Sequence, residues 1–169
     1  MRQQRCSEIR SFKLPVAALC LGLCALLVAC SSAPPKPQMT KMQISVSADV
    51  NPDSQNHPSP IVVRVYQLKD DAAFKDADFF ALYDKEQATL GPALVSRAEF
   101  ELTPGEQRLL DYPLALEARF LGVAAGYRDI RNAQWRALDG APDKKLINMV
   151  KKNKIDVVVE RAKVSFADK

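Results

Sequence analysis

The sequence predicts an all-β fold, a β-sandwich with a small helical insertion. Two observations carry that prediction. Several short segments alternate apolar and polar residues with a period of two, and turn signals separate them. Only one segment, around residues 70–91, shows helical spacing.

The first 29 residues read as an export signal rather than as part of the fold. Arg2, Arg5, Arg10 and Lys13 form a basic start opposed only by Glu8, and residues 14–28 then run without a charge. That stretch of 15 residues is short for a membrane span and suits the apolar region of a signal peptide. It ends in Leu27-Val28-Ala29-Cys30, the pattern of a bacterial lipobox. Small Ala29 suits the peptidase, and the thiol of Cys30 is the expected acceptor for the lipid. The expected division is a signal peptide at 1–29, a lipidated cysteine with a Pro-rich tether at 30–41, and a periplasmic sandwich domain at 42–169.

Of the four cysteines, Cys6, Cys20 and Cys24 lie in the signal and Cys30 carries the lipid. The domain therefore has no thiolate nucleophile, no Cys-ligated metal and no disulfide, so a hydrophobic core must hold it together. The signal also holds four bases and one acid. Of the 24 Lys and Arg and 20 Asp and Glu, 20 and 19 remain beyond it, a net of +1. Such a balance gives no basic face for nucleic acid.

Ser31-Ser32-Ala33-Pro34-Pro35-Lys36-Pro37-Gln38 favours an extended, semi-rigid tether. At about 3.1 Å per residue, residues 30–41 reach roughly 35 Å at most, which keeps the domain near its membrane.

The first strand is expected where Met42, Ile44, Val46 and Ala48 alternate with Gln43, Ser45, Ser47 and Asp49. A second covers 61–68, with Ile61, Val63 and Val65 on one face and Arg64 and Tyr66 on the other. The helical segment follows, capped by Asp70 or Asp71. Phe79, Leu82 and Tyr83 set its apolar spacing, and Gly91-Pro92 ends it. Phe100 and Leu102 alternate with Glu99 and Glu101 ahead of Thr103-Pro104-Gly105-Glu106, a type II turn signal. The chain then returns through Leu110, Tyr112, Leu114 and Leu116, and Pro113 argues for an edge strand.

Residues 119–127 read as the most buried strand. Leu121, Val123, Ala125 and Tyr127 form one face, while Gly122, Ala124 and Gly126 leave the other nearly bare. A bare face lets a helix or a second sheet come close. In the last strand, 155–166, Ile155, Val157 and Val159 sit on odd positions and Ala162, Val164 and Phe166 on even ones. A β-bulge near Glu160 accounts for that change of phase.

Chemistry is poorly provided for. Asp53, His57 and Ser59 share one loop, but a triad needs an oriented base and an oxyanion hole, and this Pro-rich loop supplies neither. Asp70, Asp71, Asp76 and Asp78 lack the glycine and terminal glutamate of a calcium loop, so helix capping and solvation explain them. No metal-ligand spacing and no phosphate loop occurs, and no cofactor is expected. Trp135 reads as core packing. Lys144, Lys145, Lys151, Lys152 and Lys154 bracket residues 146–150; they either touch anionic headgroups or merely solvate a hairpin end. Exclusion thus favours a binding or scaffold protein over an enzyme.

Several runs carry a family resemblance. Asn51-Pro52-Asp53, the stretch Pro58-Ser59-Pro60-Ile61-Val62-Val63-Arg64-Val65-Tyr66-Gln67-Leu68 and Asp78-Phe79-Phe80-Ala81-Leu82-Tyr83 are among them. Pro104-Gly105-Glu106, Leu121-Gly122-Val123-Ala124-Ala125-Gly126-Tyr127-Arg128-Asp129 and Trp135-Arg136 complete the set. In this order, over residues 42–138 and behind a lipobox, they resemble the TssJ (SciN/VasD) lipoproteins of type VI secretion systems.

The resemblance implies a transthyretin-like two-sheet sandwich on the periplasmic face of the outer membrane. It further implies binding to the periplasmic C-terminal part of TssM, an inner-membrane protein that also partners TssL. The implied contact is the loop at 50–60, whose polar groups are Asn51, Asp53, Ser54, Gln55, Asn56 and His57. This loop has Gln55-Asn56-His57 where relatives often place Gly-Arg. The face near Arg128 and Trp135 is the next candidate contact. The rival expectation is a generic periplasmic lipoprotein that binds a glycan or small ligand, for which one tryptophan is thin provision.

Overall fold

The computed structural model describes residues 36–142 and 154–167. The segment read as a signal peptide, Cys30 and the lysines at 144, 145, 151 and 152 lie outside the described residues.

Among the described residues, eight strands form two four-stranded sheets, as the alternating segments predict. The first sheet has the order β4-β1-β7-β8, built from β4 (Gln107–Leu114), β1 (Gln38–Val46), β7 (Lys154–Val159) and β8 (Val164–Phe166). The second has the order β3-β2-β5-β6, built from β3 (Leu94–Leu102), β2 (Ile61–Leu68), β5 (Phe120–Ala125) and β6 (Arg136–Gly140). All pairings are antiparallel except β1 with β7, where Lys41 aligns with Lys154 and Val46 with Val159. A parallel pair needs a long crossover. Here the whole second sheet lies between the two strands in sequence.

The core is the apolar face of each sheet turned toward the other. Met42, Ile44, Val46, Val63, Val65, Val123, Ala125, Val157 and Val159 are all buried in one cluster. With Ala118, Leu121 and Tyr127 beside them, no disulfide is needed to exclude water.

The outer face of the second sheet carries a separate cluster of Tyr66, Leu68, Phe74, Leu82, Leu90 and Ala124. Residues 72–93 cover it. The expected single helix is three short ones followed by a 3₁₀ turn at Gly91–Ala93. These are α1 (Ala72–Asp76), α2 (Phe79–Asp84) and α3 (Glu86–Leu90). The first break has a local cause: Ala77 is extended at ψ 140°, and Asp78 starts α2 by accepting the Ala81 N–H at 2.9 Å. Arg136 Nη1 then donates to the Phe74 and Ala77 carbonyls at the end of α1.

Phe74 lies against the bare face of β5, where a Cβ on Gly122 would stand 2.7 Å from its Cζ. The close approach expected from Gly122, Ala124 and Gly126 is therefore made by a helix. Trp135 is packing, as expected: it is half-buried and meets Phe79 edge-on at 5.2 Å.

Other details depart from the sequence expectation. β1 begins at Gln38, inside the segment read as tether, and Ala48 is exposed in a turn beyond its end. Leu116 is likewise exposed past the end of β4. Gly105 has φ +76° and the Glu106 N–H donates to Thr103 O at 3.1 Å, as a type II turn requires. That turn nevertheless joins β3 to β4 in different sheets and closes no hairpin. The phase change near Glu160 is a hairpin rather than a bulge, because Val159 pairs with Val164. Paired residues face the same side, so an odd and an even position share the core.

Candidate functional site

β1 sets the axis on which the loop at 50–60 is placed. Its nine residues carry the chain about 26 Å from Gln38 to Val46. The loop therefore lies at the pole of the sandwich opposite to where β1 begins. The turn at 103–106 is at this pole too, since the Gly105 N–H donates to Ser47 O at 3.1 Å. So is the β7–β8 hairpin, whose Arg161 carbonyl accepts the Asn51 N–H at 3.0 Å.

Within the loop, residues of similar polarity do different work. Asn51 is 4% exposed and takes φ +48°, a conformation that Asn tolerates better than most residues. Its Nδ2 donates to Pro60 O at 2.8 Å, and its Oδ1 accepts the Arg128 N–H at 2.8 Å. Asn51 thus has a structural role that its position in a polar, Pro-rich loop does not announce. Both ends of its amide are bonded within the chain, and Asn51 still lines the cleft described below.

Asp53 also works inward. Oδ1 accepts the N–H groups of Gln55 at 2.8 Å and His57 at 2.9 Å, and the Asp53 N–H donates to His57 O at 2.9 Å. The His57 N–H bond is the main cause that holds its carboxyl below the usual aspartate value; the Gln55 N–H and the nearby imidazole add to it. Four side chains remain on display: Ser54, Gln55, Asn56 and His57 are all exposed. The His57 side chain is 71% exposed, with Nδ1 3.5 Å from Asp53 Oδ2. Ser59 is buried, and its hydroxyl donates to His57 O at 3.5 Å rather than to the imidazole.

The tertiary structure gives this loop a facing wall. Residues 51–54 and 56 line an open cleft of about 720 Å³ together with Tyr127, residues 128–133 without Ile130, and Arg161 with Ala162. Tyr127 is buried here and donates its hydroxyl to Glu160 O at 3.0 Å. Burial pushes its phenol pKa well up, so it stays a neutral donor. Arg161 crosses to the loop and donates from Nη2 to Asn56 Oδ1 at 2.8 Å. The sequence marked Arg128 as a second candidate face; the structure makes it part of the same cleft. Trp135 is not among the lining residues.

Among the described residues, no group of three or more His, Cys, Asp or Glu side chains is arranged to hold a metal ion. The cleft is a polar concavity formed by two loops and a hairpin.

Comparison with known proteins now decides the family. The family model described as Type VI secretion lipoprotein (VasD, EvfM, TssJ) matches residues 38–162.

The chain belongs to the TssJ family of type VI secretion lipoproteins.

Solved structures agree. The chain is similar to the type VI secretion lipoprotein TssJ1 from Pseudomonas aeruginosa, with TM-score 0.70 and 32% identity over 79% of this chain and 97% of that one. It is similar to Serratia marcescens Lip, described as a membrane-bound component of the type VI secretion system. There the TM-score is 0.69 and the identity 29%, over 79% and 98% of the two chains. A chain in the structure described as the type VI secretion protein TssM C-terminal domain from EAEC also matches. Its TM-score is 0.62 and its identity 25%, over 78% and 98%. No curated protein matches the chain significantly. Membership of the TssJ family makes the chain a structural lipoprotein component of type VI secretion.

Proposed function

We propose that this protein is an outer-membrane lipoprotein that anchors the periplasmic C-terminal part of TssM, with the loop at 50–60 supplying the contact. TssL belongs to the same complex through TssM. The observation that carries this reading is the position of the loop. It sits across the sandwich from the start of β1, and β1 is the strand that follows the tether. In sequence, Cys30 and its tether lead into the starting end of β1, and the 50–60 loop lies at the other end of that strand. A match within a structure described as the TssM C-terminal domain supports the choice of partner.

The loop suits binding energetically. Pro52, Pro58 and Pro60 restrict it, and the Asp53 bonds fix its turn before a partner arrives. Little chain is left to order on binding. Durable attachment follows from several acyl chains, since one alone holds only marginally.

The test is to replace Ser54, Gln55, Asn56 and His57 by a Gly-Ser segment of equal length. These side chains are exposed, so the thermal melt stays nearly unchanged. Affinity for the purified TssM C-terminal domain is expected to fall at least about tenfold, or roughly 1.4 kcal/mol. Unchanged affinity in a folded variant overturns the assignment of the loop.

A further inference from the structure

We propose that the cleft is a carboxylate receptor, with Arg128 and Arg131 taking acidic side chains of the polypeptide that docks there. The inference rests on the reading of the 50–60 loop as the TssM contact, and names the chemistry which that contact recognises.

Three arginines and two aspartates line the cleft. Their charges do not cancel as the count suggests, because both acids are occupied within their own loops. Asp53 receives two backbone N–H groups on Oδ1, with His57 beside Oδ2. Asp129 Oδ2 receives Asn132 Nδ2 at 2.8 Å, a contact that closes the turn.

Arg161 is partly occupied too, donating to Asn56 Oδ1 and lying 3.7 Å from Asp49 Oδ2. Arg128 and Arg131 differ. Both are exposed, and neither guanidinium forms an ion pair among the described residues. The backbone N–H of Arg128 is tied to Asn51, so the base of its side chain is fixed while its tip is not.

A planar guanidinium matches a carboxylate with two parallel N–H bonds, a geometry that a lysine cannot give. Two of them within four residues, on the wall of a concave site, form a receptor for paired or neighbouring acids. Nucleic acid is a poorer fit, since the chain beyond the signal is nearly neutral and offers no extended basic face. An acidic protein segment is the occupant that the arrangement favours.

The experiment uses the full-length lipoprotein in detergent and the purified TssM C-terminal domain as probe, with affinity measured at low and high NaCl. The double variant Arg128→Glu with Arg131→Glu is expected to bind at least about tenfold more weakly and to lose most of the salt dependence. Arg128→Gln with Arg131→Gln, which introduces no new charge, is the second variant should the first fail to fold. It is expected to show the same flattened salt dependence. A hexaglutamate peptide is expected to compete with the TssM domain, and a hexalysine peptide is not.

Unchanged affinity and salt dependence in the arginine variants, alongside weakened binding when Ser54–His57 are replaced, overturns the carboxylate receptor and leaves the loop assignment standing. Unchanged affinity in both sets overturns the two together. Competition by a short single-stranded DNA but not by hexaglutamate replaces an acidic protein partner with a nucleic acid.

Discussion

The side-chain oxygen of Asn51 accepts the backbone N–H of Arg128 at 2.8 Å, joining the two walls of the cleft across 77 residues of sequence. The amide nitrogen of the same residue donates to Pro60 O, so one buried side chain sets both the width of the loop and its distance from the facing turn. Asn51→Asp keeps the acceptor but turns the donor into a second acceptor against the Pro60 carbonyl. We expect a loss of about 1–3 kcal/mol in urea unfolding at neutral pH, the range for an unsatisfied buried polar group. An unchanged midpoint and slope would remove Asn51 as the link between the walls.

Gly122→Ala tests how closely α1 sits on the sheet. The new methyl would stand 2.7 to 3.0 Å from three atoms of the Phe74 ring, which is itself buried. Overpacking of this kind costs about 1–3 kcal/mol. Combining it with Phe74→Leu is expected to recover part of the loss, because the two residues contact one another. Additive losses in the urea midpoints of the two single variants and the double would show that the contact is not the cause.

The depressed pKa of Asp53 makes the loop sensitive to acid. A carboxyl whose folded pKa lies below its unfolded value stabilises the folded loop fully above that unfolded value, near 3.8. The contribution is lost as pH falls through the lower folded pKa. His57, the ionisable neighbour at 3.5 Å, adds to the depression when protonated. Amide resonances of Gln55 and His57, followed by NMR from pH 6 downward, should move together with an apparent pKa below the ordinary aspartate value. Asp53→Asn retains an acceptor and should abolish that titration.

The lipid anchor is tested at Cys30. Cys30→Ser is expected to abolish palmitate incorporation and release the protein from membranes; continued labelling would refute the assignment. Ser31 follows the proposed acylation site, whereas an aspartate there retains lipoproteins in the inner membrane of many Gram-negative bacteria. The natural chain is therefore expected in outer-membrane fractions. Recovery with inner-membrane vesicles at natural expression contradicts that sorting.

Much of the sandwich is determined by local sequence. β2 spans 61–68 as its alternation predicts, because a period of two places every second side chain on one face and the core selects the apolar set. Gly105 is legible as the turn residue since its φ of +76° is one that other residues adopt only under strain. The bare face of Gly122 and Ala124 announces a close neighbour, and the loop at 50–60 is visible as a polar, Pro-rich interruption between two strands.

What local sequence does not determine is who pairs with whom. The turn at 103–106 reverses the chain equally well for a hairpin or for a passage between sheets. Only the competing pairings of β3 with β2 and of β4 with β1 select the passage. The parallel pairing of β1 with β7 and the short β6 have no signal of their own, for each depends on a neighbouring strand being in place. The cleft is decided in the same way. Asn51 and Asp53 read as free polar groups until Arg128, Pro60 and the backbone of Gln55 and His57 are brought to them. The arginines opposite, Arg128 and Arg131, come from a turn more than 70 residues away. Alternation and turn chemistry act over a few residues and are written in order along the chain. Hydrogen-bond satisfaction of buried polar groups is a condition on the folded whole, and it assigned each side chain of the loop to holding the site or to offering it.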